Sequence, residues 1–237
     1  MKIDFSLPNT VLPFLKNKID DFYLAGGTAL SLFYYQHRES FDLDFFTQSF
    51  SKERIIKIID NLQKDSSWTI ELISEQNQEH LIRIAVYVVH IDQEKQCKID
   101  FVEDYIELLN SLKQVDGVKV LSLEDIYLRK IYAIAGHVPT VNDIGQKILI
   151  GSRQTAKDFY DLYCLSTITM PLSEFVSRHC PSAVKEGVVR WYRTYDRTDM
   201  KTGLLGLVIK TKPDFRLMEN HFKREINKLL ESLIEGV

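Results

Sequence analysis

The stretch that decides the fold reads Leu24-Ala25-Gly26-Gly27-Thr28-Ala29-Leu30, then His37-Arg38-Glu39-Ser40-Phe41-Asp42-Leu43-Asp44-Phe45-Phe46. Tyr23-Leu24-Ala25 is a brief apolar run stopped by two glycines, the pattern of a strand entering a tight turn. Residues 28–36 read as a helix with Thr28 as its N-cap. Residues 41–46 read as a strand. In a strand, residues i and i+2 share a face, so Asp42 and Asp44 point one way and Phe41, Leu43 and Phe45 the other. Carboxylates held side by side repel each other unless a cation neutralises them. A hard divalent ion, Mg²⁺ or Mn²⁺, suits such oxygen donors. The plain alternative is the solvated face of an amphipathic strand.

Working outward, Gly26-Gly27-Thr28 is either a simple strand-to-helix turn or a phosphate cradle of backbone N–H groups at a helix start. Lys98-Ile99-Asp100-Phe101 again alternates polar and apolar residues, so Asp100 projects from a half-buried strand. It is either a surface carboxylate beside Lys98 or the third carboxylate that two-metal phosphoryl chemistry requires. Residues 51–64 have helical spacing, with Ile55, Ile56, Ile58, Ile59 and Leu62 apolar. Residues 68–73, 81–91 and 97–102 are β-branched and aromatic and read as strands, with Ile82, Ile84, Val86 and Val88 alternating onto one face. From residue 121 the period changes. Helices are expected at 123–135, 155–165, 172–178, 183–192 and 215–234, with a loop across 136–151. The expected fold class is α+β: a mixed sheet flanked by helices in residues 1–117, followed by a helical half, residues 118–237.

Composition narrows the class. The 237 residues are 45% hydrophobic and 27% charged, which excludes disordered, collagen-like and coiled-coil chains. Three scattered cysteines without a CxxC pair suggest neither a disulfide framework nor a zinc site. The most apolar runs fall far short of the roughly 20 residues that span a bilayer, and the opening residues do not read as a secretory signal. A soluble cytoplasmic protein without a membrane partner is expected. The formal net charge of −3 conceals a division: residues 1–117 hold 12 basic and 19 acidic residues, and residues 118–237 hold 18 and 14. Arg190, Trp191, Tyr192, Arg193 and Arg197 are either an ordinary solvated helix or a mixture of stacking and phosphate-pairing groups suited to RNA.

The order of these elements resembles the DNA polymerase β-type nucleotidyltransferase superfamily. The GGTAL segment followed by HR-x-S-x-D-x-D-F-F resembles the AbiEii/AbiGii toxin family within it. Leu121 to Ile126 with Lys130 is similar to that family's Lys-bearing helix, and Ala156-Lys157-Asp158-Phe159-Tyr160-Asp161-Leu162 to its R-x-x-x-K-D-x-x-D-L segment. The resemblance spans about residues 20–165, and nothing is recognised beyond 170. It implies transfer of a nucleoside monophosphate from an NTP to an acceptor hydroxyl, either the 3′ end of tRNA or a protein. It further implies a type IV toxin–antitoxin or phage-defence role with a cognate antitoxin. Asp42, Asp44 and Asp100 would hold the metal, Gly26, Gly27 and Thr28 the triphosphate. Lys130 would be a cation for the phosphates, and Asp158 would orient it. Arg38 and Ser40 either contact phosphate or shape the turn, and His37 is read as a loop residue. On the residues alone, Lys157 and Asp161 could instead form an i, i+4 surface pair. The competing readings are a small-molecule nucleotidyltransferase and a catalytically silent binding module of the same fold. Oligomeric state is left open.

Overall fold

A computed structural model describes residues 3–78, 81–136, 138–141, 147–211 and 214–235. The chain divides into two units, one ending at Ile126 and the other beginning at Tyr127.

The first unit is built on a seven-stranded mixed sheet. Its strands are β1 (Tyr23–Leu24), β2 (Leu43–Thr47), β3 (Thr69–Gln76), β4 (Ile84–His90), β5 (Gln96–Glu103), β6 (Lys113–Val115) and β7 (Val118–Val120). They lie in the order β3-β4-β5-β2-β1-β7-β6. β2 runs parallel to β5 and β1 parallel to β7, and the remaining pairs are antiparallel. Leu43, Phe45, Ile99 and Phe101 are fully buried on one face of the β2–β5 pair, where the Phe45 and Phe101 rings stack with centroids 5.9 Å apart. Burying each such side chain contributes on the order of 2 kcal/mol. β4 buries Ala85, Tyr87 and Val89, while Ile84, Val86 and Val88 are only half-buried. The alternation expected in this strand is present, and the opposite set faces the core. Tyr87 is the reason, because its ring meets Phe101 edge-on.

Helix α1 (Ser6–Leu15) was not among the expected elements, and it holds both Pro8 and Pro13. Pro8 sits in its first turn, where the missing N–H costs nothing, and Val11, Leu12 and Leu15 bury its apolar side. Helix α3 (Lys52–Ser66) follows the expected spacing closely. Ile55, Ile58, Ile59 and Leu62 are buried, and the Ser51 hydroxyl caps it by accepting from the Arg54 N–H at 3.2 Å. β6 and β7 form a hairpin closed by Asp116 and Gly117, both at positive φ.

Helix α4 (Leu123–Ala135) occupies the expected residues and carries the chain from one unit into the next. The second unit continues with β8 (Val138–Val141), β9 (Lys147–Ile150), α5 (Ala156–Ile168), α6 (Leu172–His179), α7 (Ser182–Thr194), α8 (Arg197–Leu205) and α9 (Phe215–Glu235). β8 and β9 pair antiparallel, so the described part of the expected 136–151 loop is a hairpin. His137 and residues 142–146 lie outside the described residues. The α-helical core gathers Phe159, Phe175, Trp191, Tyr195 and Phe222, all at most 2% exposed. Phe159 is central, 4.8 Å from the Phe222 ring and 5.5 Å from the Tyr195 ring. Trp191 is therefore a core residue and not part of an RNA-stacking surface, which corrects that alternative for the aromatic member most suited to it. Arg193 is exposed and, with Arg190, Val189 and Leu230, lines an open cleft of about 330 Å³ between α7 and α9. Among the described residues no helix is long and apolar enough to cross a membrane.

Candidate active site

The site builds up from β2. Its residue Asp44 is in register with Asp100 of β5, and β2 and β5 run parallel, so both carboxylates leave the same face of the sheet. Asp100 is 8% exposed and Asp44 is half-buried. Asp42 directly precedes β2, whose pairing with β5 begins at Leu43, and like Asp44 it is half-buried. Phe41, expected on the apolar side, is 42% exposed.

The glycine turn lies against this pair. Helix α2 (Gly26–Leu30) begins two residues earlier than expected, with Ala25 at its N-cap position and no side-chain cap. Thr28 is thus inside the helix and not its N-cap. Its fully buried hydroxyl donates to the Asp42 carbonyl oxygen and lies 2.9 Å from the Ser40 hydroxyl. Thr28 fixes the backbone that carries Asp42. The Ala25 N–H donates to the Asp44 carbonyl at 2.8 Å, which ties the turn to β2. Gly26 has φ +68°, and a Cβ there would stand 2.0 Å from Asp44 Oδ2. Only glycine allows this conformation and this approach together.

Gly27 meets Arg38 in the same way: a Cβ would come within 2.2 Å of the guanidinium Nη2. Arg38 is 2% exposed and donates through Nη1 to the Glu39 carbonyl at 2.8 Å. In this arrangement Arg38 and Ser40 shape the turn. The five residues Ser31–Tyr35 after α2 form a π-helical turn, closed by Gln36 in the left-handed region. This wider turn positions the Ser31 hydroxyl, which donates to the Arg38 carbonyl at 2.6 Å and sits 3.1 Å from His37 Nδ1. His37 lies in a connection, as expected, but is buried.

Lys98, noted in the sequence only as a neighbour, stands two residues before Asp100 on the same strand face. Its ammonium lies 2.6 Å from Asp100 Oδ2. Burial pulls the Lys98 amine down, but the hydrogen bond to Asp100 and the charges of Asp100, Asp42 and Asp44 outweigh it and hold it above the usual lysine value. The donor chemistry fits a hard divalent ion: carboxylate oxygens from two adjacent parallel strands, with a third carboxylate close enough for Lys98 to feel its charge. Among the described residues no group of three His, Cys, Asp or Glu side chains is drawn tightly enough to share an ion. In the arrangement seen, Lys98 brings a positive charge to Asp100.

A second ionic centre lies within the unit that begins at Tyr127. Lys130 of α4 is 6% exposed, and its ammonium lies 2.7 Å from Asp158 Oδ1 and 2.6 Å from Asp161 Oδ2, both on α5. Asp161 is fully buried, so it does not form the surface pair with Lys157 that spacing alone allowed. Thr155 caps α5 by accepting from the Asp158 N–H at 3.2 Å, and its hydroxyl donates to Asp158 Oδ2 at 2.9 Å. The Arg153 guanidinium stands 3.3 Å from the same carboxylate. Burial pushes the Asp158 carboxyl up, but Lys130 and Arg153 outweigh that and hold it below the usual carboxylate range. Asp161 and Arg153 were not among the expected site residues. The R-x-x-x-K-D-x-x-D spacing, with Arg153 at its head and one helical turn between the two aspartates, was the available signal.

The in-register carboxylate pair under a glycine turn, on a mixed sheet of this order, is the arrangement that the resemblance to nucleotidyltransferases leads one to expect. The chain matches the family described as nucleotidyl transferase AbiEii toxin, type IV toxin–antitoxin system, over residues 15–233. It belongs to this AbiEii family of nucleotidyltransferases, and is an enzyme of that class. No curated protein matches it. Its fold is shared with JHP933 from Helicobacter pylori, at TM-score 0.56 and 15% identity, with 98% of this chain and 97% of that one covered. A second H. pylori structure, of a provisionally assigned nucleotidyltransferase, aligns at TM-score 0.59 and 14% identity, with 97% and 98% covered.

Proposed function

We propose that the protein is a metal-dependent toxin enzyme that transfers a nucleoside monophosphate from an NTP to an acceptor hydroxyl. The acceptor oxygen bonds to the α-phosphorus, the bond from that phosphorus to the bridging oxygen breaks, and pyrophosphate leaves. The observation that carries this reading is the register of Asp44 with Asp100 beside the close-packed Gly26 turn.

Asp42, Asp44 and Asp100 would hold Mg²⁺ or Mn²⁺, which when bound offsets the charge that builds on the triphosphate. Asp100 would either complete a second metal site or accept the acceptor's proton. Gly26 and Gly27, with Asp44 and Arg38 packed against them, would offer backbone N–H groups to the triphosphate, and Thr28 acts indirectly by holding Asp42. Arg38 and Ser40 support the turn from beneath. The family resemblance assigns Lys130 as a cation for phosphate; within its own unit Asp158 and Asp161 fix its ammonium. Alignment of the reacting groups supplies much of the rate. A tRNA 3′ end or a protein hydroxyl in the cytoplasm is the proposed acceptor, and a cognate antitoxin the proposed partner.

The test offers each α-labelled NTP in turn, with Mg²⁺ or Mn²⁺, to the protein in total cell lysate. Label is expected to appear on RNA or protein, and to fall by about a hundredfold or more in Asp44→Asn. Label on a small molecule would replace the proposed acceptor. Undiminished transfer by an Asp42→Asn, Asp44→Asn double variant would refute the site.

A further inference from the structure

We propose that Lys98 is a built-in counter-ion: its ammonium occupies the positive pole of the carboxylate site, and a divalent cation must displace it to bind. The inference rests on the proposed reading of Asp42, Asp44 and Asp100 as ion ligands.

Three observations carry it. Lys98 and Asp100 are i and i+2 on β5, so strand geometry directs both side chains to one face. The ammonium reaches Asp100 Oδ2 at 2.6 Å. Asp44 is in register with Asp100 across the parallel ladder, so the second carboxylate leaves the same face.

Burial separates this pair from an ordinary surface ion pair, which contributes little. The Asp100 side chain is 12% exposed, whereas the Lys98 side chain is 38% exposed. A buried carboxylate among like charges needs a nearby positive charge. The half-exposed lysine has the flexible four-carbon stem to leave when a better cation arrives. Lysine also cannot satisfy several carboxylates as an ion with six oxygen ligands can, so the exchange favours a divalent ion once it is present. The metal-free site is thus charge-compensated in part, at Asp100, and metal affinity is set by competition with Lys98.

The functional consequence concerns what loads the site. Free metal must pay the whole cost of moving Lys98 into water. A metal that arrives on a triphosphate brings anionic oxygens to which the released ammonium can turn. Lys98 therefore biases loading toward the metal–nucleotide complex and away from the bare ion.

The experiment titrates Mn²⁺ into the metal-free full-length protein, read by electron paramagnetic resonance of unbound Mn²⁺ and by calorimetry. Wild type, Lys98→Met and Lys98→Arg are compared at low ionic strength. Lys98→Met is expected to bind Mn²⁺ about tenfold more tightly or better, the effect of removing one nearby like charge. Lys98→Arg, which keeps the charge, is expected to stay within about threefold of wild type. If Lys98→Met fails to fold, neutral Lys98→Gln is read in the same way. Equal or weaker binding by the neutral variants than by wild type overturns the inference and leaves the metal site standing. Absence of binding in wild type and neutral variants alike overturns both. Tightening by Lys98→Arg equal to that of Lys98→Met also overturns the inference, because charge would not be the cause.

Discussion

Replacing Lys130 with methionine tests the ionic centre of the second unit directly. The substitution removes an ammonium that lies within 2.7 Å of two carboxylates while roughly keeping volume. Asp158 and Asp161, with side chains 5% and 0% exposed, would be stranded as buried charges. Breaking a buried pair from one side costs about 3–5 kcal/mol, because the partner keeps its desolvation penalty. Arg153 reduces that figure only slightly: it remains with Asp158, but its side chain is 58% exposed and its charge is screened. The expected loss is therefore at least about 3 kcal/mol, a large fraction of the ~5–15 kcal/mol that stabilises typical proteins. Urea unfolding followed by circular dichroism measures it.

The pH dependence has a definite sign. In wild type the Asp158 carboxyl is held below its unfolded value. Its contribution is therefore full above that unfolded value and is lost as pH falls through the folded one. In Lys130→Met, buried carboxyls lacking the ammonium take up protons more readily than in the unfolded chain, so the variant regains stability as pH falls. The gap between the two proteins should be widest near pH 8 and narrow toward pH 5. Adding Asp161→Asn to Lys130→Met should recover part of the loss. A deficit under about 1 kcal/mol, or one that is constant from pH 8 to 5, would refute the reasoning.

Three further outcomes are expected. Gly26→Ala forces alanine to φ +68° and drives its Cβ onto Asp44 Oδ2. Nucleotide transfer should fall about a hundredfold through displacement of the carboxylate, while circular dichroism shows the fold retained. Thr28→Val leaves the Asp42 carbonyl without its hydroxyl donor. It should cost about 1–2 kcal/mol in urea unfolding and lower transfer, and Thr28→Ser should restore both. Burial pushes the Cys97 and Cys180 thiols up to about 12, with the Asp42 charge adding to the effect at Cys97. In the native protein at pH 8 these two should react with Ellman's reagent about a thousandfold more slowly than in urea; rapid native labelling would show the burial to be wrong.

Where local pattern decides structure, the sequence was readable. The isoleucine spacing of α3, the extent of α4 and the alternation around Asp44 and Asp100 all follow from which side of an element must be apolar. Residues whose roles depend on distant partners were not readable. Arg38 could contact phosphate or shape the turn until Gly27 is seen lying on it. Asp161 looks like the surface partner of Lys157 until Lys130 arrives from another helix. Trp191 sits among arginines in sequence and among Phe159, Tyr195 and Phe222 in space. The β6–β7 hairpin carried a usable local signal, Val115-Asp116-Gly117-Val118, a two-residue Asp-Gly turn between β-branched residues. Helix α8 likewise has a legible cap: Asp196 accepts from the Thr198 and Asp199 N–H groups.

The attachment of Asp44 and Asp100 to neighbouring strands has a geometric consequence. Their spacing is set by the backbone ladder, which holds adjacent strands about 4.8 Å apart whatever side chains surround them. That part of the site works as a fixed gauge, insensitive to drift elsewhere in the sheet. Asp42 lies just off the ladder, and its main chain is fastened by one threonine hydroxyl. In the proposed ion site, tuning of the number of oxygens within reach thus falls on a single hinge-like connection. Within this trio, changes that alter ion preference should collect around residues 38–42 and spare the two central strands.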